Sequence, residues 1–179
     1  RTLRNVAIFQ GLSAAARAPW EAQCKWRTHG KKELILQADD RSCDVFFLTE
    51  GRAQVVIYTH DGETVPFRDI GPGGMFGEFA AIDNKRRSAS VEVLEPCLVA
   101  CIAADNFRNL LKNDSAVMMA LLKHAIAQVR VLTDRVFEYS TLDVPERILS
   151  YLVRRAREDG VVCGKEVHLG ALPRQQDIA

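Results

Sequence analysis

The sequence predicts an α+β fold: an antiparallel roll or sandwich of short strands, then one long helix, then the opening of a small second domain. Three observations predict it. From about Trp26 to Ile102, short apolar or alternating runs are broken at close intervals by Gly, Asp and Pro, the texture of antiparallel strands joined by tight turns. After Ala103 apolar residues recur at three- and four-residue steps instead of two, which is helical spacing. At Thr141-Leu142-Asp143-Val144-Pro145-Glu146 one helix ends and another begins, because Asp143 can cap a new helix and Pro145 is tolerated only in its first turn. A length of 179 residues suits one substantial core and a small second domain.

Taken in order, the apolar patch Val6-Ala7-Ile8-Phe9 leads through Gly11 to Ser13, an N-cap for a short alanine-rich helix. Strands are predicted over residues 33–36, 45–49, 53–59, 65–70, 89–94 and 98–102. Turns are predicted at Ala38-Asp39-Asp40, Glu50-Gly51, His60-Asp61-Gly62-Glu63 and Gly71-Pro72-Gly73-Gly74. A short amphipathic helix ends near Lys112, and the long helix opens at Asn113-Asp114-Ser115. Met118, Leu122, Ala125, Val129, Leu132 and Val136 alternate steps of four and three, forming one narrow seam along it. Such a seam suits a partner helix; packing on the helix's own domain is the alternative over so few heptads. The helix after Asp143 carries Ile148, Leu149, Leu152 and Ala156 on one side and arginines around the rest, ending at Glu158-Asp159-Gly160. A strand is predicted over 166–169, and residues 172–179 read as the start of a further helix.

Composition bounds the function. Hydrophobic residues make up 47% and charged residues 26%, which is ordinary for a globular chain and excludes a disordered or fibrous one. With 24 basic and 23 acidic residues the net charge is +1, so any attraction for nucleic acid must be local. The longest apolar runs, such as Cys97 to Ala104, fall short of a membrane span, and no charged-then-apolar leader opens the sequence; a cytoplasmic location without membrane contact is expected. The five cysteines lack CxxC spacing and the four histidines lack ligand spacing, so neither a disulfide framework nor a metal site is expected.

The chemistry concentrates in Gly73 to Ser90. Gly77 permits close backbone approach, and a single helical turn over Glu78 to Ala81 would aim free N–H groups at one anion. Arg87 returns nine residues after Glu78, where a guanidinium can hold two phosphate oxygens through parallel hydrogen bonds. A carboxylate beside a phosphate repels it unless the ligand also offers hydroxyls, so Glu78 points to a sugar and the pair to a nucleotide. A cyclic phosphodiester carries one negative charge, which one arginine and backbone amides can balance without magnesium. No GxxxxGK[ST] loop is present. The competing reading makes Glu78 a helix-start carboxylate and Arg87 a surface ion pair with Asp83 or Glu78.

Phe76-Gly77-Glu78-Phe79-Ala80 followed by Arg87-Ser88-Ala89 resembles the phosphate-binding cassette of the cyclic-nucleotide-binding domain. The opening Ile8-Phe9-Gln10-Gly11-Leu12, the Glu50-Gly51 turn, the long helix, Leu142-Asp143-Val144 and residues 172–179 extend the resemblance to the cAMP receptor protein and fumarate-nitrate reductase regulator family. The resemblance implies a cyclic-nucleotide-binding β-roll (a double-stranded β-helix or jelly roll) over residues 1–112 and a dimerisation helix over 113–141. It also implies the start of a winged helix-turn-helix DNA-binding domain over 142–179, with the recognition helix beyond Ala179. Arg87 would clamp the cyclic phosphate, Glu78 would accept the ribose 2′-OH, and Gly77, Phe79, Ala80, Ser88 and Ala89 would complete the cradle. Counting back from Leu142 puts Leu132 and Thr133 where the family's Thr-Ser pair meets the purine, and leucine there departs from the pattern; Arg68 likewise replaces a small polar residue near the base.

The implied ligand is cAMP, with cGMP as the alternative, and no metal is implied. The implied partners are a second copy through the long helix, DNA through the C-terminal segment with Asp143 as hinge, and RNA polymerase. A relative sensing haem, nitric oxide or redox state is the competing reading, although the N-terminal cysteine cluster of iron–sulfur sensors is missing. No enzyme is expected: no nucleophile–base pair, carboxylate pair or metal set has a recognisable spacing. Ser88 beside Arg87 could imitate a nucleophile, but its place in the cassette assigns it to binding.

Overall fold

The computed structural model describes residues 1–58, 64–163 and 166–169. They fall into two compact units, Arg1–His124 and Ala125–Ala179. The first opens with a 3-10 turn, Ala7–Phe9, and helix α1, Ala14–Gln23, whose first turn is capped by the Ser13 hydroxyl accepting the Ala16 N–H at 3.2 Å. The strands are β1 (Lys25–His29), β2 (Leu34–Leu36), β3 (Val45–Tyr58), β4 (Thr64–Ile70), β5 (Met75–Phe76) and, after helix α2 (Glu78–Asp83), β6 (Ser90–Ile102). All pair antiparallel: the order β1-β6-β3-β4 forms the spine, with β2 on β6 and β5 on β3. This is the antiparallel roll that the strand texture predicted. Helix α3 (Ala104–Asn113) follows, and then α4 (Ser115–Thr141).

One of the expected turns lies inside a strand. β3 and β6 are single strands of 14 and 13 residues, and Glu50-Gly51 is an irregularity within β3 rather than its end. Pairing with β6 shifts register between Leu48, Glu50, Arg52 and Ala53, and Gly51 sits at φ 80°, a bulge that only glycine enters without strain. The shift has a packing consequence. Phe46, Leu48 and Ala53 all belong to the same buried cluster although their numbers differ in parity, because the extra residue turns the later half of the strand over. The second cluster takes the opposite face, with Val45 and Phe47 joined by Phe9, Phe107 and Leu110. Phe9 stands edge-on to Phe47 at 5.3 Å between centroids, and Phe46 stacks on Phe76 at 5.2 Å. β1 and β5 were absent from the expectation, β1 because Lys25-Trp26-Arg27-Thr28-His29 is too polar to read as a strand.

α4 opens where Asp114 accepts the amides of Ala116 and Val117 at 3.0 and 3.1 Å. Its first turns bury Val117 and Leu121 in the Phe47 cluster, whereas Met118, Leu122, Ala125, Val129, Leu132 and Val136 are exposed. The seam is therefore a different face from the one that packs on the roll. At 27 residues α4 is long and apolar enough, by length and composition, to cross a membrane.

In the second unit α5 (Val144–Asp159) begins with a reciprocal cap, the Glu146 amide donating to Asp143 and the Asp143 amide to Glu146, each at 3.0 Å. Glu138 of α4 accepts from Ser150 at 2.7 Å and from Arg154 at 3.1 Å, tying the two helices. A small hairpin of β7 (Val161–Cys163) and β8 (Glu166–His168) follows. The helix predicted over 172–179, and the turn at 60–63, lie outside the described residues.

Candidate functional site

The segment from Gly77 to Arg87 folds around one glycine-enforced position. Gly77 has φ 84°, and a Cβ there would lie 2.8 Å from the Arg87 Nη1 and 2.9 Å from the Asp44 carbonyl oxygen. Both the backbone angle and the space thus demand glycine. α2 starts at once with Glu78, as the anion-cradle reading requires, and ends at Asn84 in the left-handed region, whose amide donates to the Ala80 carbonyl at 3.1 Å.

Arg87 is 3% exposed and Glu78 8%. The competing surface ion pair is absent for Arg87, whose direct hydrogen-bond acceptors are all neutral among the described residues. Its Nε donates to the Ser42 hydroxyl at 3.1 Å, Nη1 to the Gly77 carbonyl at 2.8 Å and Nη2 to the Asp44 carbonyl at 2.8 Å. The Phe46 ring lies 5.9 Å from its guanidinium carbon. Burial disfavours the charge, and the nearby Cys43, Asp44, Asp40 and Cys101 partly offset that. Three of the five N–H groups are used, so the fork is held in place with donors left on both terminal nitrogens.

Burial pushes the Glu78 carboxyl above the usual carboxylate range, opposed by its own backbone N–H and by the charges of Arg68 and Arg87. Arg68, on β4, anchors to the Met75 carbonyl at 3.3 Å; burial lowers its pKa, and the Glu78 charge offsets this. His124 of α4 lies in the field of Arg68. Burial first and that charge second lower its pKa, and its buried Nε2 has no hydrogen-bond partner among the described residues.

The structure brings Gly77, Glu78 and Arg87 together with Ala80, which is buried, while Phe79 keeps 59% of its surface exposed. Ser88 is exposed and Ala89 half-buried; the buried serine of this stretch is Ser90, whose hydroxyl accepts the Ala38 amide at 2.9 Å. Leu132 and Thr133 belong to the second unit and are exposed, the Thr133 hydroxyl donating to the Val129 carbonyl of its own helix at 2.9 Å. Ser42, Asp44 and Arg108 escaped the sequence reading: nothing in their local spacing relates them to Arg87 or to α2. Burial raises the thiols of Cys24 and Cys101 to about 12 and about 11, and among the described residues no group of three or more His, Cys, Asp or Glu could hold a metal ion.

A buried arginine on neutral acceptors, a buried glutamate and an obligatory glycine meet at the head of α2. Residues 26–114 match the cyclic nucleotide-binding domain. The chain is 29% identical over 136 residues to the cAMP-activated global transcriptional regulator Vfr of Pseudomonas aeruginosa, covering 74% of this chain and 64% of Vfr; it thus spans less than two thirds of that relative. Among solved structures it resembles CLP of Xanthomonas campestris, described as a c-di-GMP responsive global regulator, with a TM-score of 0.72 at 18% identity, covering 82% of this chain and 74% of that one. A CooA mutant from Carboxydothermus hydrogenoformans gives 0.77 at 15% identity, covering 94% and 72%. These two likenesses show the fold alone.

Proposed function

We propose that this chain is the sensor part of a dimeric, DNA-binding transcription regulator that responds to a cyclic nucleotide, with cAMP as the leading ligand. The observation that carries the reading is a buried Arg87 guanidinium whose hydrogen-bond acceptors among the described residues are neutral oxygens. A buried cation favours a partner of opposite charge, and a singly charged cyclic diester matches one arginine. Arg87 takes the phosphate together with the amides of Phe79 and Ala80 and the donors of Ser88 and Ala89. Glu78, ionised when it accepts, takes the ribose 2′-OH, and Leu132 and Thr133 approach the base.

The seam from Met118 to Val136 joins two copies, and Val117 and Leu121 hold the start of the same helix to the roll. That attachment, together with Lys123, Arg130, Asp134, Arg135 and Glu138 along the helix, supports an interface between copies rather than a membrane span. Asp143 is the hinge toward the DNA-binding domain that starts at residue 142. In this reading the chain senses and does not catalyse, and it works in the cytoplasm.

A second reading, cGMP as the effector, is favoured by Arg68, a second guanidinium in the field of Glu78, and by the missing hydroxyl at Leu132. Calorimetric titration with cAMP and with cGMP tests both. Saturable one-to-one heat with either supports the sensor, and the tighter ligand names the effector; no heat with either removes the reading.

A further inference from the structure

Arg108 reaches from α3 to the far end of the cassette helix. Its Nη1 donates to the Ala81 carbonyl at 2.6 Å and to the Asn84 side-chain oxygen at 3.3 Å, while Nη2 bonds Asp105 within α3. The last carbonyls of a helix lack intrahelical donors. In α2 the Asn84 amide takes that of Ala80, and Arg108 takes that of Ala81 with a cation placed at the negative end of the helix. The Asp105 pair is exposed on the acid's side and contributes little by itself; it fixes the direction of the guanidinium.

Ala81 is held from a second side as well. Its side chain is fully buried in the cluster that contains Phe107, Leu110 and Leu111 of α3 and Val117 and Leu121 of α4. One residue of the cassette helix is therefore gripped at its carbonyl by α3 and packed at its Cβ into the core beneath α3 and the first turns of α4. A shift of α2 cannot leave α3 where it was without breaking the Arg108 bonds.

We propose that Arg108 is a positioning residue that couples the cassette to α4. Ligand occupancy, which fixes α2 at its glutamate end, is transmitted through Ala81 and Arg108 to α3 and on to residues 115–124. This rests on the ligand reading above for its trigger, though not for the link itself.

Amide hydrogen exchange and calorimetry on the whole chain test it, with Arg108→Ala and Arg108→Lys. Arg108→Ala should bind cAMP about tenfold more weakly, a typical coupling between sites, and exchange should quicken in 78–83 and in 115–124 alike. Arg108→Lys keeps a cation at the helix end and should recover part of both. Quickened exchange confined to 78–83, or cAMP affinity equal to the unsubstituted chain in Arg108→Ala, overturns the proposal. If the unsubstituted chain binds neither cAMP nor cGMP yet both segments respond to Arg108→Ala, the link stands and the ligand reading is what fails.

Discussion

The two units of this chain treat apolar surface in opposite ways. In the first, Phe9, Phe47, Phe76 and Phe107 are fully buried, and two of the buried charged groups, Arg87 and Glu78, sit at one place. In the second, Val129, Val136, Phe137 and Leu149 are each more than half exposed. A roll that buries these four rings has a core of its own. An isolated helix gains most of its stability from packing an apolar face, so exposed valines and leucines along α4 mark surface that a second copy can cover.

That contrast can be broken from either side, and the largest effect belongs to the roll. Phe47→Ala removes a ring that touches both Phe9 and Phe107 and should cost about 3–5 kcal/mol of stability; a chemical denaturation midpoint close to that of the unsubstituted chain would show that this cluster is not what holds the roll. Val129→Glu should leave the roll's stability unchanged. It places like charges across the seam at a cost of several kcal/mol of association, and sedimentation should report monomers; a persisting dimer moves the interface elsewhere. Asp143→Ala breaks the reciprocal cap of α5 and should cost about 1 kcal/mol, read as lost helicity by circular dichroism, with the roll unaffected.

The smallest effect is a titration. The folded carboxyl of Glu78 has a pKa raised above 4.5, so folding favours its protonated form. At neutral pH the buried charge therefore opposes stability, and this penalty fades as pH falls through the raised folded pKa. Glu78→Gln should raise the unfolding temperature at pH 7 and flatten its dependence on pH as pH falls toward the ordinary carboxylate range, while weakening cyclic nucleotide binding. A lower unfolding temperature at pH 7 would mean that Arg68 and Arg87 outweigh burial.

What the sequence could show follows the range of each interaction. α2, its obligatory glycine and the caps at Ser13 and Asp143 are set by residues within a few positions of one another, and they stand where local chemistry put them. The partners of Arg87 are another matter: Ser42 and Asp44 lie more than forty residues upstream and reach it only because β2 pairs with the start of β6 and the segment after β2 runs beside Arg87, the Asp39 amide donating to the Arg87 carbonyl and the Arg87 amide to the Asp40 carbonyl. The bulge at Gly51 looked like a turn because glycine serves both, and only the parity of Leu48 and Ala53 in the packed core distinguishes them. Arg108 carried no signal at all, since its targets are a main-chain oxygen and the side chain of Asn84 in another element.

The most direct test of the buried cation as the ligand's anchor is calorimetry of cAMP binding to Arg87→Ala beside the unsubstituted chain, with the fold of the variant checked by its unfolding temperature. Truncating a buried, charge-assisted contact should remove roughly 2–5 kcal/mol of binding, enough to lose measurable heat at ordinary concentrations. A folded variant that binds cAMP as tightly as the unsubstituted chain would contradict it.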